Sequence, residues 1–232
     1  MHILYLMRAC LLLCLLLPIG GLLAQNSYEI GLLPSISLSK ELPADWQLSF
    51  KAETRQVFRS GLFTEKDKFE YNNALTDFNI GTSKKLKSGK SVGIGYMFRI
   101  RDRSTFQNRT IQVFTVKRKF TPASLSHRLR GDQTFTKNQP IEWRIRYQWM
   151  LDIPLKRDTE TTAGFYYVLG NEYLTGWKAR SFNLELRCIN LFGYKFSDKS
   201  KLEWGLDYRV GSFVNNDAHH AFWMAVKWHW AI

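Results

Sequence analysis

Cysteine is nearly absent. Of three in 232 residues, Cys10 and Cys14 fall in an N-terminal apolar stretch and only Cys188 lies downstream. No internal disulfide can staple the remainder, so stability has to come from the hydrogen-bonded fold itself. After Ala24 no apolar run reaches the length of a membrane-spanning helix, and the mean hydropathy is −0.27. A helical membrane protein is thereby excluded, but a barrel is not, because only alternate residues of a barrel strand need to be apolar. There is no low-complexity linker and no repeat beyond the hairpin, so nothing marks a second domain. Acids are scarce too, with 20 Asp and Glu against 33 Lys and Arg, a formal net charge of +13. That surplus suggests anionic neighbours, which for a secreted barrel would be lipid headgroups, lipopolysaccharide phosphates or an acidic polymer. Without a compact basic patch or a known reading motif, it does not point to nucleic acid.

What the chain does have begins with Met1 to Ala24. A short segment carrying Arg8 leads into an apolar run, Ala9 to Pro18, then Gly20, Gly21 and Leu22, Leu23, Ala24 before polar Gln25. This reads as a secretory signal peptide over residues 1–24, with residues 25–232 as one mature domain. The apolar run is short for a transmembrane helix, and neither early cysteine sits in a lipoprotein context.

The mature part alternates. Val92, Ile94, Tyr96, Phe98 and Ile100 share one face of a strand while Gly93, Gly95, Met97, Arg99 and Arg101 share the other. Similar alternation runs through Trp46–Arg55, Glu142–Asp152, Leu202–Gly211 and Phe222–Ile232, and more weakly through Glu29–Ser39, Tyr71–Lys85, Thr110–Phe120, Leu125–Phe135, Ala163–Tyr173 and Phe182–Phe196. Strands with one greasy, aromatic face and one charged face fit a closed antiparallel transmembrane β-barrel with lipid outside and a polar lumen. Aromatics make up 15% of the chain, with eight Trp, as interfacial girdles require. Eleven strands are countable. With a periplasmic C-terminus that odd number would leave the N-terminus outside, so ten to twelve strands are expected and twelve is favoured. Short connections near Lys40–Asp45, Leu86–Ser91, Thr121–Ser124, Pro154–Glu160 and Ser197–Ser200 alternate with longer ones near Ser60–Lys68, Asp102–Arg109, Thr136–Pro140, Leu174–Arg180 and Ser212–His220.

The alternation assigns a lumen-lining charged network: Arg99, Arg101, Arg128, Arg130, Glu142, Arg144, Arg146, Glu172, Glu185, Arg187, Glu203, Asp207 and Arg209, together with Glu53 and Asp132. It assigns Tyr96, Phe98, Trp143, Ile145, Tyr147, Trp149, Trp204, Trp228 and Trp230 to the lipid-facing side. Both signs occur inside in similar number, so mutually neutralising ion pairs that fill a narrow barrel are preferred over an Arg-lined pore. Pairing of Arg99, Arg144 and Arg209 with Glu142, Glu185 and Asp207 would close the interior.

Chemistry beyond this is thinly signalled. His219 and His220, placed with Asp217 in an external loop, do not complete a ligand set, so no metal and no cofactor is expected. Ser126 and His127 occupy opposite strand faces and cannot pair directly. His229 could meet a lumenal carboxylate, but no nucleophile, base and orienting group can be assembled. The Asn108–Thr110 sequon is uninformative, and the run Lys84–Lys90 reads as a solvated hairpin turn.

The run His127–Arg130, the run Trp143–Tyr147 and the segment Phe165–Glu172 occur in an order that resembles the domain-of-unknown-function family 2490. The resemblance spans about Gln25 to Ile232. It implies an outer-membrane barrel of a family common in Bacteroidota, and it supplies no activity and no site residue. The alternating aromatic end, Trp228 and Trp230, separately resembles the C-terminal signal that barrel-assembly machinery recognises. The expected function is structural, anchoring or narrow passage with a charge-filled lumen. Alternatives are a small anion-selective channel, a lipid-modifying barrel enzyme, or a lipocalin-like soluble barrel, whose apolar-inside pattern the sequence inverts.

Overall fold

The structure, a computed structural model, describes residues 26–64, 68–101, 105–155, 163–215 and 218–232. The leader expected over residues 1–24 and Asp217 lie outside these. Among the described residues, apart from one 3-10 turn at Phe213–Asn215, all regular structure is strand. The eleven strands are β1 (Ser27–Leu42), β2 (Trp46–Leu62), β3 (Lys68–Lys85), β4 (Lys90–Arg101), β5 (Thr105–Phe120), β6 (Ala123–Thr136), β7 (Glu142–Pro154), β8 (Gly164–Lys178), β9 (Ser181–Lys195), β10 (Ser200–Gly211) and β11 (His219–Ala231). Each pairs with the next in sequence, and β1 pairs with β11 to close a barrel.

Consecutive strands are antiparallel, but the seam is parallel, running from Ser27 opposite His219 to Ser39 opposite Ala231. An odd number of hairpin-linked strands leaves the first and last pointing the same way, so closure demands one parallel pair. The favoured count of twelve is corrected to eleven. Ser27–Leu42 itself supplies the first strand of the closed barrel, and the chain leaves the barrel at the mouth opposite to the one where β1 begins. Full closure leaves no edge strand to be covered.

The seam strand is locally irregular. The β1·β2 register shifts between Ile30 and Gly31, then skips from Leu32 opposite Gln56 to Ser35 opposite Glu53. Pro34, which has no N–H to donate, lies in that gap, without a β2 partner but opposite Val226 across the seam. A second shift, between Arg55 and Gln56, bends β2 against β3 at the same height.

Several strands run further than the contrast in their side chains suggests. β5 begins at Thr105 rather than Thr110, and β8 continues to Lys178, so the expected long loop Leu174–Arg180 is a two-residue turn at 179–180, with Ala179 at φ 53°. In turn, the β7–β8 connection at 155–163, expected to be short, exceeds the other connections of its end, so the expected short-long alternation does not hold. The Lys-rich hairpin between β3 and β4 turns through Ser88 (φ 62°) and Gly89 (φ 69°), left-handed positions that Gly adopts without strain.

The two faces follow the alternation. Ile80, Ile94, Leu129, Trp143, Ile145, Phe192, Met224 and Trp230 are among the large apolar side chains exposed around the outer wall. Tyr147 stacks on Tyr173, and Trp228 on Trp230. Asp77, Arg99, Arg109, Asp132, Arg146, Glu172, Glu203, Asp207 and Arg209 are buried inside. An apolar belt outside and charges inside invert the arrangement of a protein folded in water. One sector of the interior is nonetheless dry. Leu33, Val57, Val168, Ile189, Leu191, Ala221, Trp223 and Ala225 form a buried cluster inside the barrel, joined by Met150 and Tyr166. Eight strands are just filled by side chains, and eleven leave space beside such a cluster.

Candidate functional site

That space is a cavity of about 630 Å³, lined by fourteen of the fifteen charged residues expected to face the lumen; the fifteenth, Asp132, is fully buried against Arg130 and Arg146. A strand brings this about cheaply, since charges two residues apart share a face and can pair on it. Arg130 meets Asp132 at 2.6 Å, Lys51 meets Glu53 at 2.6 Å, Lys201 meets Glu203 at 2.7 Å and Arg209 meets Asp207 at 2.8 Å. Cross-strand register adds the rest. Asp77 faces Arg99 across β3·β4 and accepts two hydrogen bonds from its guanidinium at 2.6 Å, the fork geometry in which Arg binds carboxylate best.

Two carboxylates act as hubs. Asp132, fully buried, lies 2.6 Å from Arg130, 3.4 Å from Arg144 and 3.0 Å from Arg146. Glu172 lies 3.4 Å from Arg128, 3.5 Å from Arg146 and 3.0 Å from Arg187. Their positions answer an electrostatic problem set by the register. Arg130 stands directly opposite Arg146, and Arg187 opposite Arg209. Like charges facing each other are destabilising unless a carboxylate lies between them. Asp132 bridges the first pair, and Glu185 and Asp207 flank the second.

The expected partners need revision. Arg99 pairs with Asp77, Glu185 with Arg187, and Arg144 with Asp132 more closely than with Glu142, which is 3.9 Å away. The expected balance of signs also fails. Thirteen Lys and Arg line the cavity against eight Asp and Glu. Among the described residues Arg55, Arg101, Arg109 and Lys227 make no ion pair; Arg109 instead donates to the Thr134 hydroxyl at 2.8 Å and contacts Met97 Sδ at 3.7 Å. Lys51, Arg55, Asp77, Arg109, Lys201 and Lys227 were absent from the expected network. For Lys51, Arg55 and Lys227 the period-two signal was there, on the polar faces of β2 and β11. Arg109 was hidden because its segment read as a loop.

On the outer wall, Tyr96, Trp143, Ile145, Tyr147, Trp204, Trp228 and Trp230 are exposed, while Phe98 and Trp149 are half-buried, Phe98 stacked on Phe106. The histidines scatter. His219 and His220 open β11 rather than lying in a loop; His219 hydrogen-bonds Ser27 Oγ inside, and His220 meets the Tyr208 hydroxyl at 2.8 Å outside. His127 meets the Tyr147 hydroxyl on the outer wall, while Ser126 lines the cavity. His229 contacts Glu203 at 3.2 Å, a carboxylate that also accepts from the Tyr166 hydroxyl. Among the described residues no Ser, Thr or Cys hydrogen-bonds that imidazole, and no group of three or more His, Cys, Asp or Glu could hold a metal ion. What the arrangement can do chemically is attract and hold anions.

No curated protein and no solved structure matches the chain. The family model described as protein of unknown function (DUF2490) matches residues 31–220. A match over that share of the sequence, on a closed barrel of the expected kind, makes this chain a member of the DUF2490 family.

Proposed function

We propose that the protein is an outer-membrane barrel whose narrow, cation-lined lumen passes small anions. In this reading residues 1–24 direct secretion, the barrel-assembly machinery inserts the mature domain, and the apolar belt meets lipid and lipopolysaccharide. The belt of exposed apolar and aromatic side chains supports the membrane setting. The observation that carries the passage is the excess of cations around the cavity, with Arg55, Arg101, Arg109 and Lys227 making no ion pair among the described residues. Rings of Arg and Lys favour anions, as in other anion pores. Planar-bilayer recordings across a KCl gradient test this: a small conductance with a reversal potential on the chloride side is expected, and cation selectivity overturns it. The apolar cluster of Leu33, Val168, Ile189, Leu191 and Trp223 favours a second reading, a sealed structural barrel. Silence in the same recordings, from protein that fractionates with the outer membrane and migrates heat-modifiably, selects that one.

A further inference from the structure

A smaller pocket of about 270 Å³ opens at the mouth where β1 begins, beside the seam. Its walls combine two kinds of surface. Trp223, Leu75, Ala74 and Ala221 are apolar, while Arg55, Arg101 and Arg209 are cationic. The two Glu side chains there are already engaged, Glu185 by Arg187 and Glu29 by His219.

Three residues that line this pocket each carry a buried nitrogen with no acceptor among the described residues: Arg55 Nε, Arg209 Nη1 and Trp223 Nε1. Arg209 spends its Nε and Nη2 on Asp207. Arg55 spends nothing: its guanidinium lies over the Trp223 ring, 6.0 Å from the centroid, and makes no hydrogen bond or ion pair among the described residues. Donors left unsatisfied in a low-dielectric interior are costly, and native folds keep few of them without a reason. The backbone converges on the same point. The register shifts at Ile30/Gly31 and Arg55/Gln56 and the Pro34 gap lie around Arg55, and bulges of this kind re-aim side chains next to binding sites.

We propose that this pocket binds a small organic carboxylate, held by the unpartnered guanidinium of Arg55 with its apolar body against Trp223 and Leu75. A planar guanidinium matches a carboxylate in two parallel hydrogen bonds, and the apolar walls have no use in holding an inorganic ion. The volume, just under the range of about 300 to 1,000 Å³ usual for drug-sized ligands, limits the guest to something of about one ring. The inference goes beyond passage of anions, because binding is measured on the detergent-solubilised barrel with no membrane to cross.

The test is calorimetric titration of folded full-length mature protein with sodium benzoate, its neutral isostere benzamide, and inorganic phosphate. Benzoate binds, and benzamide and phosphate bind at least about tenfold more weakly, the scale of a charge-assisted hydrogen bond. Arg55→Met loses benzoate by a similar factor, Arg55→Lys loses less, and Lys84→Met, which removes a charge from the far end of the barrel, matches the wild type. Should Arg55→Met fail to fold, Arg55→Lys decides by its own loss. The proposal is overturned if benzoate does not bind, if benzamide binds as well, if phosphate binds more tightly, if the Arg55 variants bind like wild type, or if Lys84→Met loses as much. Conductance without benzoate binding would leave the passage standing and remove only this site.

Discussion

The indole of Trp223 lies where a side chain on Gly31 would have to go. A Cβ at Gly31 would come within 2.8 Å of Trp223 Cζ3 and nearer still to the Gln56 carbonyl oxygen. The two residues are register partners across the parallel seam, so the missing side chain on β1 makes room for the largest fully buried one on β11. Gly31 is a glycine for close approach, and the seam and the end pocket share that packing.

Gly31→Ala is therefore expected to destabilise the barrel by about 1–3 kcal/mol, the range for overpacking. Gly61→Ala is the comparison, because a Cβ there would meet only Tyr28, at 3.8 Å. It should stay within about 0.5 kcal/mol. Urea unfolding followed by tryptophan fluorescence checks both, and equal costs would mean that Trp223 has room to move.

The outer belt gives a second expectation. Ile145 is exposed on β7, flanked by inward Arg144 and Arg146. In lipid vesicles Ile145→Arg should cost about 2–4 kcal/mol, as for a cation near the middle of a barrel's lipid face. Arg144→Ala should cost less, because Asp132 retains Arg130 and Arg146. Folding titrations in vesicles rank the two, and the reverse order would put the wrong face in lipid.

The hub carboxylates give the third. Asp132→Asn leaves Arg130, Arg144 and Arg146 crowded around an uncharged group, and breaking a buried charge network from one side costs about 3–5 kcal/mol. Arg130→Gln removes one partner of three and should cost less than about 2 kcal/mol. Denaturant midpoints of the two variants measure the gap; similar midpoints would show that water in the cavity already solvates these guanidinium groups.

The parts legible in the sequence are those with two solvents. Where large apolar side chains alternate with Arg or Glu, as in Trp143–Arg146 or Trp204–Arg209, the period fixes both the strand and its faces. Contrast fades where small residues intervene. Thr175, Gly176 and Trp177 continue the alternation of β8, yet Gly and Thr carry too little polarity difference to show it, so a turn looked like a loop. Alternation also assigns a face without assigning a partner. Arg99 goes to Asp77 rather than Glu142 because β3·β4 register sets them opposite, a fact no single strand contains. Arg55 was readable as a polar-face residue of β2, but its solitude depends on Pro34, on the bulge at Gln56 and on what β11 places above it. The parallel seam was hidden by the assumption of an even number, although the count of eleven was correct.

The parallel seam also gives the molecule a built-in sense of direction. In a barrel of paired hairpins both chain ends emerge on one side, and tags on them say nothing about which way round the protein sits. Here β1 and β11 point the same way. In a membrane, an epitope placed ahead of Asn26 and one placed after Ile232 would report from different compartments, and surface labelling of intact cells would read off which mouth, with or without the Arg55 pocket, faces the outside world.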